Sequence, residues 1–201
     1  MRLVLASASP RRAELLRAAG FAFEILAVDL DERVRDGEPA PAYVDRLARE
    51  KAGAAMQSLV ARSFPCGPDR TSLQDLVVLG ADTAVVVDGT IFGKPRDDGD
   101  AAAMLVALSG RRHEVLTGVC LRSVSAERGR VEATGVYMSV LTPDDIAWYV
   151  SSGEGRDKAG GYAVQGLASR FVTRIEGSYA NVVGLPISTV VTLLRELAST
   201  G

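Results

Sequence analysis

The run Ser7-Ala8-Ser9-Pro10-Arg11-Arg12 gathers residue types that suit the capture of an anion. Pro10 fits the first position of a helix, where its missing N–H costs nothing. Arg11 and Arg12 then fall in the first helical turn, where the helix dipole disfavours cations unless an anion sits among them. Two guanidinium forks, the hydroxyls of Ser7 and Ser9 and the free N–H groups of a helix N-terminus together make a cradle for phosphate. Spacing alone leaves the plainer alternative open, a solvated helix face carrying two surface arginines.

Asp82 stands in Gly80-Ala81-Asp82-Thr83, directly after the β-branched-rich segment Leu76 to Leu79. It reads either as a turn aspartate or as a base or metal ligand at the carboxyl end of a strand. Lys51 shares one side of a helix with Val44, Leu47, Ala48 and Ala52, an odd place for a charge. Lys94 lies on the turn Gly93-Lys94-Pro95. Either lysine, taken singly, is an ordinary surface residue by default. The chain has no GxxxxGK[ST] loop and no GxSxG elbow, and His113 is its one histidine, so His-based metal sites and triads lack material. His113 is expected to be structural. The glycine-rich stretch Gly153 to Gly166 follows a helix and not a strand, which fails the context of a dinucleotide loop; it reads as an active-site loop or a tight crossing.

These groups need a scaffold, and periodicity supplies one. Arg2 to Ala6 reads as a buried strand, Pro10 to about Ala19 as a helix stopped by Gly20, and Phe21 to Val28 as a strand. A long helix follows from about Tyr43 to Ala61, then an exposed loop over Ser63 to Gln74. Leu76 to Leu79 is expected to be a strand ending at Asp82, and Ala84 to Val87 pairs with Ile91-Phe92 across Asp88-Gly89. A helix over Asp100 to Leu108 precedes two strands, near Glu114 to Ser123 and Arg130 to Leu141, turning at Glu127-Arg128-Gly129. Thr142 opens a helix with a capping-box spacing to Asp145, Phe171 to Ile175 is a last strand, and Ile187, Val190, Val191, Leu194 and Leu197 stripe a final helix. The class is therefore α/β with a mixed, twisted sheet flanked by helices, and not a purely parallel one.

Composition narrows the partners. With 201 residues, 47% of them apolar, the chain suits one domain over 1–201 or two closely packed lobes. A formal net charge of -2 gives no global pull toward nucleic acid or an anionic membrane. No apolar run approaches the roughly 18 residues of a membrane span, so a soluble cytoplasmic protein is the default expectation. Cys66 and Cys120 stand far apart and read as free thiols.

Taken in order, Leu5 to Arg12, Leu47-Ala48-Arg49-Glu50-Lys51-Ala52, Gly80 to Thr83 and Gly93-Lys94-Pro95 resemble the Maf family of nucleotide pyrophosphatases. The likeness continues through Leu108-Ser109-Gly110 with His113, Asp157 to Tyr162, Gln165-Gly166 and Gly184-Leu185-Pro186, so it spans nearly the whole chain. It implies two lobes around a deep cleft, dependence on a divalent metal such as Mg²⁺ or Mn²⁺, and frequent dimerisation. It also implies hydrolysis of a nucleoside triphosphate to the monophosphate and pyrophosphate. By the resemblance Asp82 is the catalytic base; Ser7, Ser9, Arg11, Arg12, Lys51 and Lys94 hold phosphates; Glu32 and Asp82 are metal ligands, with Asp31 a weaker third. The family's specificity positions fall on Arg12, Thr83 and Gln165, and that trio resembles the subgroup acting on dTTP and UTP. The alternatives are a house-cleaning enzyme for modified nucleotides such as 7-methyl-GTP, and a non-enzymatic regulator of septum formation. Four cations and two acids argue against the last.

Overall fold

The computed structural model describes residues 1–62 and 73–199. Most of the Ser63 to Gln74 segment, Cys66 included, lies outside the described residues. The strands are β1 (Arg2–Ala6), β2 (Glu24–Ile25), β3 (Leu76–Val87), β4 (Thr90–Phe92), β5 (Arg112–Arg122), β6 (Glu127–Met138) and β7 (Val172–Glu176). The helices are α1 (Pro10–Ala18), α2 (Ala40–Arg62), α3 (Asp98–Leu108), α4 (Pro143–Ser151), α5 (Tyr179–Val183) and α6 (Ile187–Ala198). Among the described residues seven strands join in one sheet, ordered β2-β1-β3-β5-β6-β7, with β4 on β3. Pairing is parallel for β1 with β2 and β3, and antiparallel for β3 with β4 and β6 with β7, so the sheet is mixed as expected. Contacts divide the chain into two compact units: Met1–Asp82, Thr117–Glu132 and Gly184–Gly201 form the first, Thr83–Leu116 and Ala133–Val183 the second.

In the first unit both faces of the sheet are covered, which is why β1 is apolar and buried from Leu3 to Ala6. Successive strand side chains point to opposite faces. Leu3 and Leu5 of β1, with Val77, Leu79 and Ala81 of β3, pack against Ala13 and Leu16 of α1 and Val190, Leu193 and Leu197 of α6. Val4 and Ala6, with Leu76 and Val78, meet Ala48, Ala52, Ala55 and Met56 of α2 on the other face. The same parity sends Asp82 to the α2 side. Lys51 rides the sheet-facing stripe of α2, so carboxylate and ammonium are brought together by two independent periodicities.

Two glycines that read as chain breaks are packing holes. Gly80 does not end β3, which runs unbroken through Asp82 to Val87. A Cβ on Gly80 would lie 2.1 Å from the Ala48 carbonyl oxygen, so the missing side chain lets α2 lie on the strand. Gly129 is likewise inside β6, where the Arg49 guanidinium fills the space a Cβ would take, at 2.6 Å. The turn between β5 and β6 is instead made by Ser123 to Ala126, with the Ser123 amide donating to the Ala126 carbonyl at 2.8 Å. The expected strand over Phe21 to Val28 shrinks to two residues, because Phe21 and Phe23 turn into the first core and only Glu24 and Ile25 pair with β1.

The second unit has its own core of Leu105, Leu108, Val115, Val136, Tyr149, Tyr162 and Phe171, among others. The Asp88-Gly89 hairpin forms as read, both residues having positive φ. The Thr142 capping box closes with aspartate in the usual glutamate place. His113 is structural: it is 1% exposed, its Nε2 lies 2.7 Å from the Tyr162 hydroxyl, and its Nδ1 has no hydrogen-bond partner among the described residues. Burial, aided by nearby Arg112, holds its pKa down to about 4. The folded chain thus refuses a proton that the unfolded chain accepts below about 6.5. Stability is full above that pH and falls as pH drops toward 4, by on the order of 3 kcal/mol. Urea unfolding at pH 7 and pH 4.5 checks this; His113→Gln should lose less stability between the two than the natural chain.

Candidate functional site

Buried at the middle of β3, Asp82 accepts a hydrogen bond from the Lys51 ammonium at 2.6 Å, and Lys51 stands at the same distance from Glu32. Lys51 and Asp82 are each under 10% exposed. A buried pair of this kind offsets its desolvation through its partner: losing Lys51 would strip Asp82 of its hydrogen-bonded cation, whereas losing the Asp82 charge would still leave Lys51 the Glu32 carboxylate. Glu32 comes from an irregular loop, and α2 holds that loop in place. The Tyr43 hydroxyl donates to the Glu32 carbonyl at 3.0 Å, while Arg46 grips Glu38 through two bonds of 2.6 and 2.7 Å. The Arg46 guanidinium holds the Glu38 carboxyl down to about 2. Burial, with Asp82 and Glu32 nearby, pushes the Tyr43 hydroxyl above its ordinary value. Asp31 is drawn to Arg33, whose hydrogen bonds lower its carboxyl to about 2.

Arg12 is the second buried cation. Its Nε donates to the Gly184 carbonyl at 2.8 Å, and its Nη1 donates to the Ala81 carbonyl at 2.7 Å and to Ser7 Oγ at 3.2 Å. Burial lowers its pKa, against which Asp82 and Glu32 act, but a guanidinium remains charged. The residue therefore ties the opening turn, the peptide before Asp82 and the turn at Gly184 to one group. Ser7 Oγ also accepts from the Ser9 amide at 3.2 Å. Ser9 occupies the N-cap of α1 without a side-chain capping bond, and Arg11 is half-buried in the first turn.

In the first unit Ser7 is thus bonded to Arg12, and Glu32 and Asp82 to Lys51, the two groups meeting where Arg12 binds the Ala81 carbonyl next to Asp82. Thr83, Lys94 and Gln165 belong to the second. Thr83 follows Asp82 on β3 and is half-buried; Lys94 and Gln165 are exposed. The Gly93 carbonyl before Lys94 accepts the Gly160 amide at 3.0 Å, and a Cβ on Gly155 would sit 2.0 Å from the Gly161 carbonyl, so the glycine-rich stretch is a tight crossing. Sequence reasoning missed Tyr43 and the carbonyls of Ala81 and Gly184. A backbone acceptor leaves no trace in residue type, although Gly184-Leu185-Pro186 was visible as a motif.

Among the described residues no three His, Cys, Asp or Glu side chains are grouped to hold a metal. Glu32 and Asp82 nonetheless converge on one cationic group. Two hard carboxylates fit a Mg²⁺ or Mn²⁺ ion that completes its shell with substrate oxygens and water. No helix among the described residues is long and apolar enough to cross a membrane.

A parallel strand, a serine turn, a helix N-terminus with paired arginines and a buried Lys–Asp pair thus stand together in an α/β chain with a mixed sheet. The chain belongs to the Maf-like protein family, whose model matches residues 2–197. It is 50% identical over 199 residues to a protein of an Anaeromyxobacter species named dTTP/UTP pyrophosphatase, covering 96% of this chain and 88% of that one. A protein of the same name from Hahella chejuensis is 50% identical over 197 residues, covering 97% and 92%; one from Syntrophus aciditrophicus is 46% identical over 200 residues, covering 98% and 91%. Among solved structures the Staphylococcus aureus Ham1 protein aligns with a TM-score of 0.45 and 13% identity over 69% of this chain and 72% of that one.

Proposed function

We propose that this chain, acting as a single domain, hydrolyses dTTP and UTP between the α and β phosphates, releasing the nucleoside monophosphate and pyrophosphate. The observation that supports this most is the buried Lys51 shared by Asp82 and Glu32, beside an Arg12 fixed at the peptide before Asp82. Family membership over nearly the whole length agrees with it.

In this reading Asp82 accepts a proton from water as the water oxygen bonds to the α phosphorus, and pyrophosphate leaves with the electron pair of the broken P–O bond. Lys51 fixes the orientation of the Asp82 carboxylate through their hydrogen bond. Arg11, Arg12, Lys51 and Lys94 neutralise phosphate oxygens; Ser7 and Ser9 add neutral donors. Phosphoryl transfer asks for such positioning and charge neutralisation above all else. Glu32 and Asp82 would hold a divalent cation, which when bound acidifies water and offsets phosphate charge.

Thr83, Arg12 and Gln165 set the base preference. A Gln carboxamide accepts from the N3–H of uracil or thymine and donates to O4, and cytosine reverses both needs. Gln165→Glu keeps the acceptor and loses the donor. Its kcat/KM for UTP should fall roughly tenfold to a hundredfold; an unchanged substrate profile would remove Gln165 from this role. The reaction itself is tested by incubating the protein with a nucleotide panel and Mg²⁺ or Mn²⁺ and separating products. Monophosphate with pyrophosphate supports the proposal, and diphosphate with orthophosphate overturns it. The family resemblance also implies frequent dimerisation, so this reading includes a homodimer, which light scattering on the purified protein tests.

A further inference from the structure

We propose that Glu154 is a positioning residue for base recognition, its carboxylate holding both ends of the turn that presents Gln165. The inference rests on the reading of Gln165 given above. Gly153, with φ of +69°, turns the chain just after α4 and delivers Glu154 to the 163–167 segment. One carboxylate oxygen accepts the Leu167 amide at 2.9 Å. The other accepts the Tyr149 hydroxyl at 2.9 Å, and that hydroxyl oxygen accepts the Ala163 amide at 3.0 Å. The amides two residues before and two residues after Gln165 therefore end on a single carboxylate, one directly and one through a phenol.

The turn is closed internally as well, the Gly166 amide donating to the Ala163 carbonyl at 3.1 Å. The carboxylate lies directly against the turn: a Cβ added at Gly166 would stand 1.9 Å from Glu154 Oε1 and so would push the carboxylate off its place. Tyr149, Ala163 and Val164 are buried, whereas Gln165 is exposed. The backbone under Gln165 is thus tied to the second core, while the Gln165 side chain is exposed to meet a ligand. An ionised carboxylate accepts on both oxygens at once; an amide has one acceptor oxygen. Glutamate at 154 is chemically distinguished from glutamine for that reason.

The test compares kcat and KM for UTP and CTP in the natural protein, Glu154→Gln, Tyr149→Phe, Gln165→Ala and the double variant of Glu154→Gln with Gln165→Ala. A displacement near 1 Å of a recognition group costs on the order of 100-fold, so the UTP over CTP preference should fall at least about tenfold in Glu154→Gln. The fall should come through KM for UTP, with a smaller effect in the same direction in Tyr149→Phe. In the Gln165→Ala background Glu154→Gln should leave the preference unchanged, because the group it positions is gone. If Gln165→Ala destroys the preference while both Glu154→Gln and Tyr149→Phe keep it, the positioning role is overturned and the Gln165 reading stands. If Gln165→Ala itself keeps the preference, the Gln165 reading fails and takes this role with it. An equal loss of UTP and CTP turnover that tracks a lowered melting temperature would reduce Glu154 to a structural residue.

Discussion

Asp82→Asn is expected to lower kcat by roughly 10²–10⁴-fold, the usual contribution of a positioned general base, while the fold stays intact. Asparagine matches aspartate in shape, and its carbonyl oxygen can still accept from Lys51, now 2.6 Å from Oδ1. Glu32 remains on the same ammonium, so Lys51 keeps a counter-charge. The strand around position 82 is held independently by the Arg12 bond to the Ala81 carbonyl. What the variant loses is the capacity to take a proton. Turnover with UTP, read beside circular dichroism and thermal melting, makes the check. A variant that melts like the natural protein and turns over at full rate would strike Asp82 from the mechanism.

The largest expected effect on stability belongs to Gly80→Ala. The new methyl would lie 2.1 Å from the Ala48 carbonyl oxygen and 2.8 Å from the Ala52 nitrogen, both backbone atoms of α2. A side chain could swing away, but a helix backbone must move as a body. Overpacking of this kind costs about 3 kcal/mol, which for a chain of this size lowers the melting temperature by roughly 6–12 °C. Activity should drop further than the folded fraction does, because α2 carries Lys51 and lifting the helix draws the ammonium off Asp82. Gly93→Ala is the control: no atom lies within 4 Å of its Cβ position and its φ is not positive, so its melting temperature should change little. Melting of Gly80→Ala within a degree or two of the natural chain would refute the close-approach account.

Gly80 and Gly129 also mark where reading the sequence stops short. Glycine serves a turn by adopting positive φ and serves packing by having no side chain, and in sequence the two look the same. Asp88-Gly89, a true turn, and Gly80, a packing hole, were both read as punctuation, and only the second reading failed. Glu32 enters only through the family resemblance, and its placement depends on Tyr43 and Arg46 binding the loop around it. α5 is too short for any periodicity to register, and of the strand expected over Phe21 to Val28 only Glu24 and Ile25 form β2.

The local features were in the sequence: a serine turn leading into Pro10 and α1, the Asp88-Gly89 hairpin, the Thr142 capping box, and Lys51 on the apolar stripe of α2. Each is encoded within a few residues by propensity, capping or period. Only the tertiary structure decided that β3 runs on past Asp82, that Lys51 meets Asp82 31 positions away, and that Arg12 is anchored by a carbonyl 172 positions away. Such contacts follow from how sheets and helices stack, and stacking is set by volumes and backbone acceptors that no short stretch of residues declares.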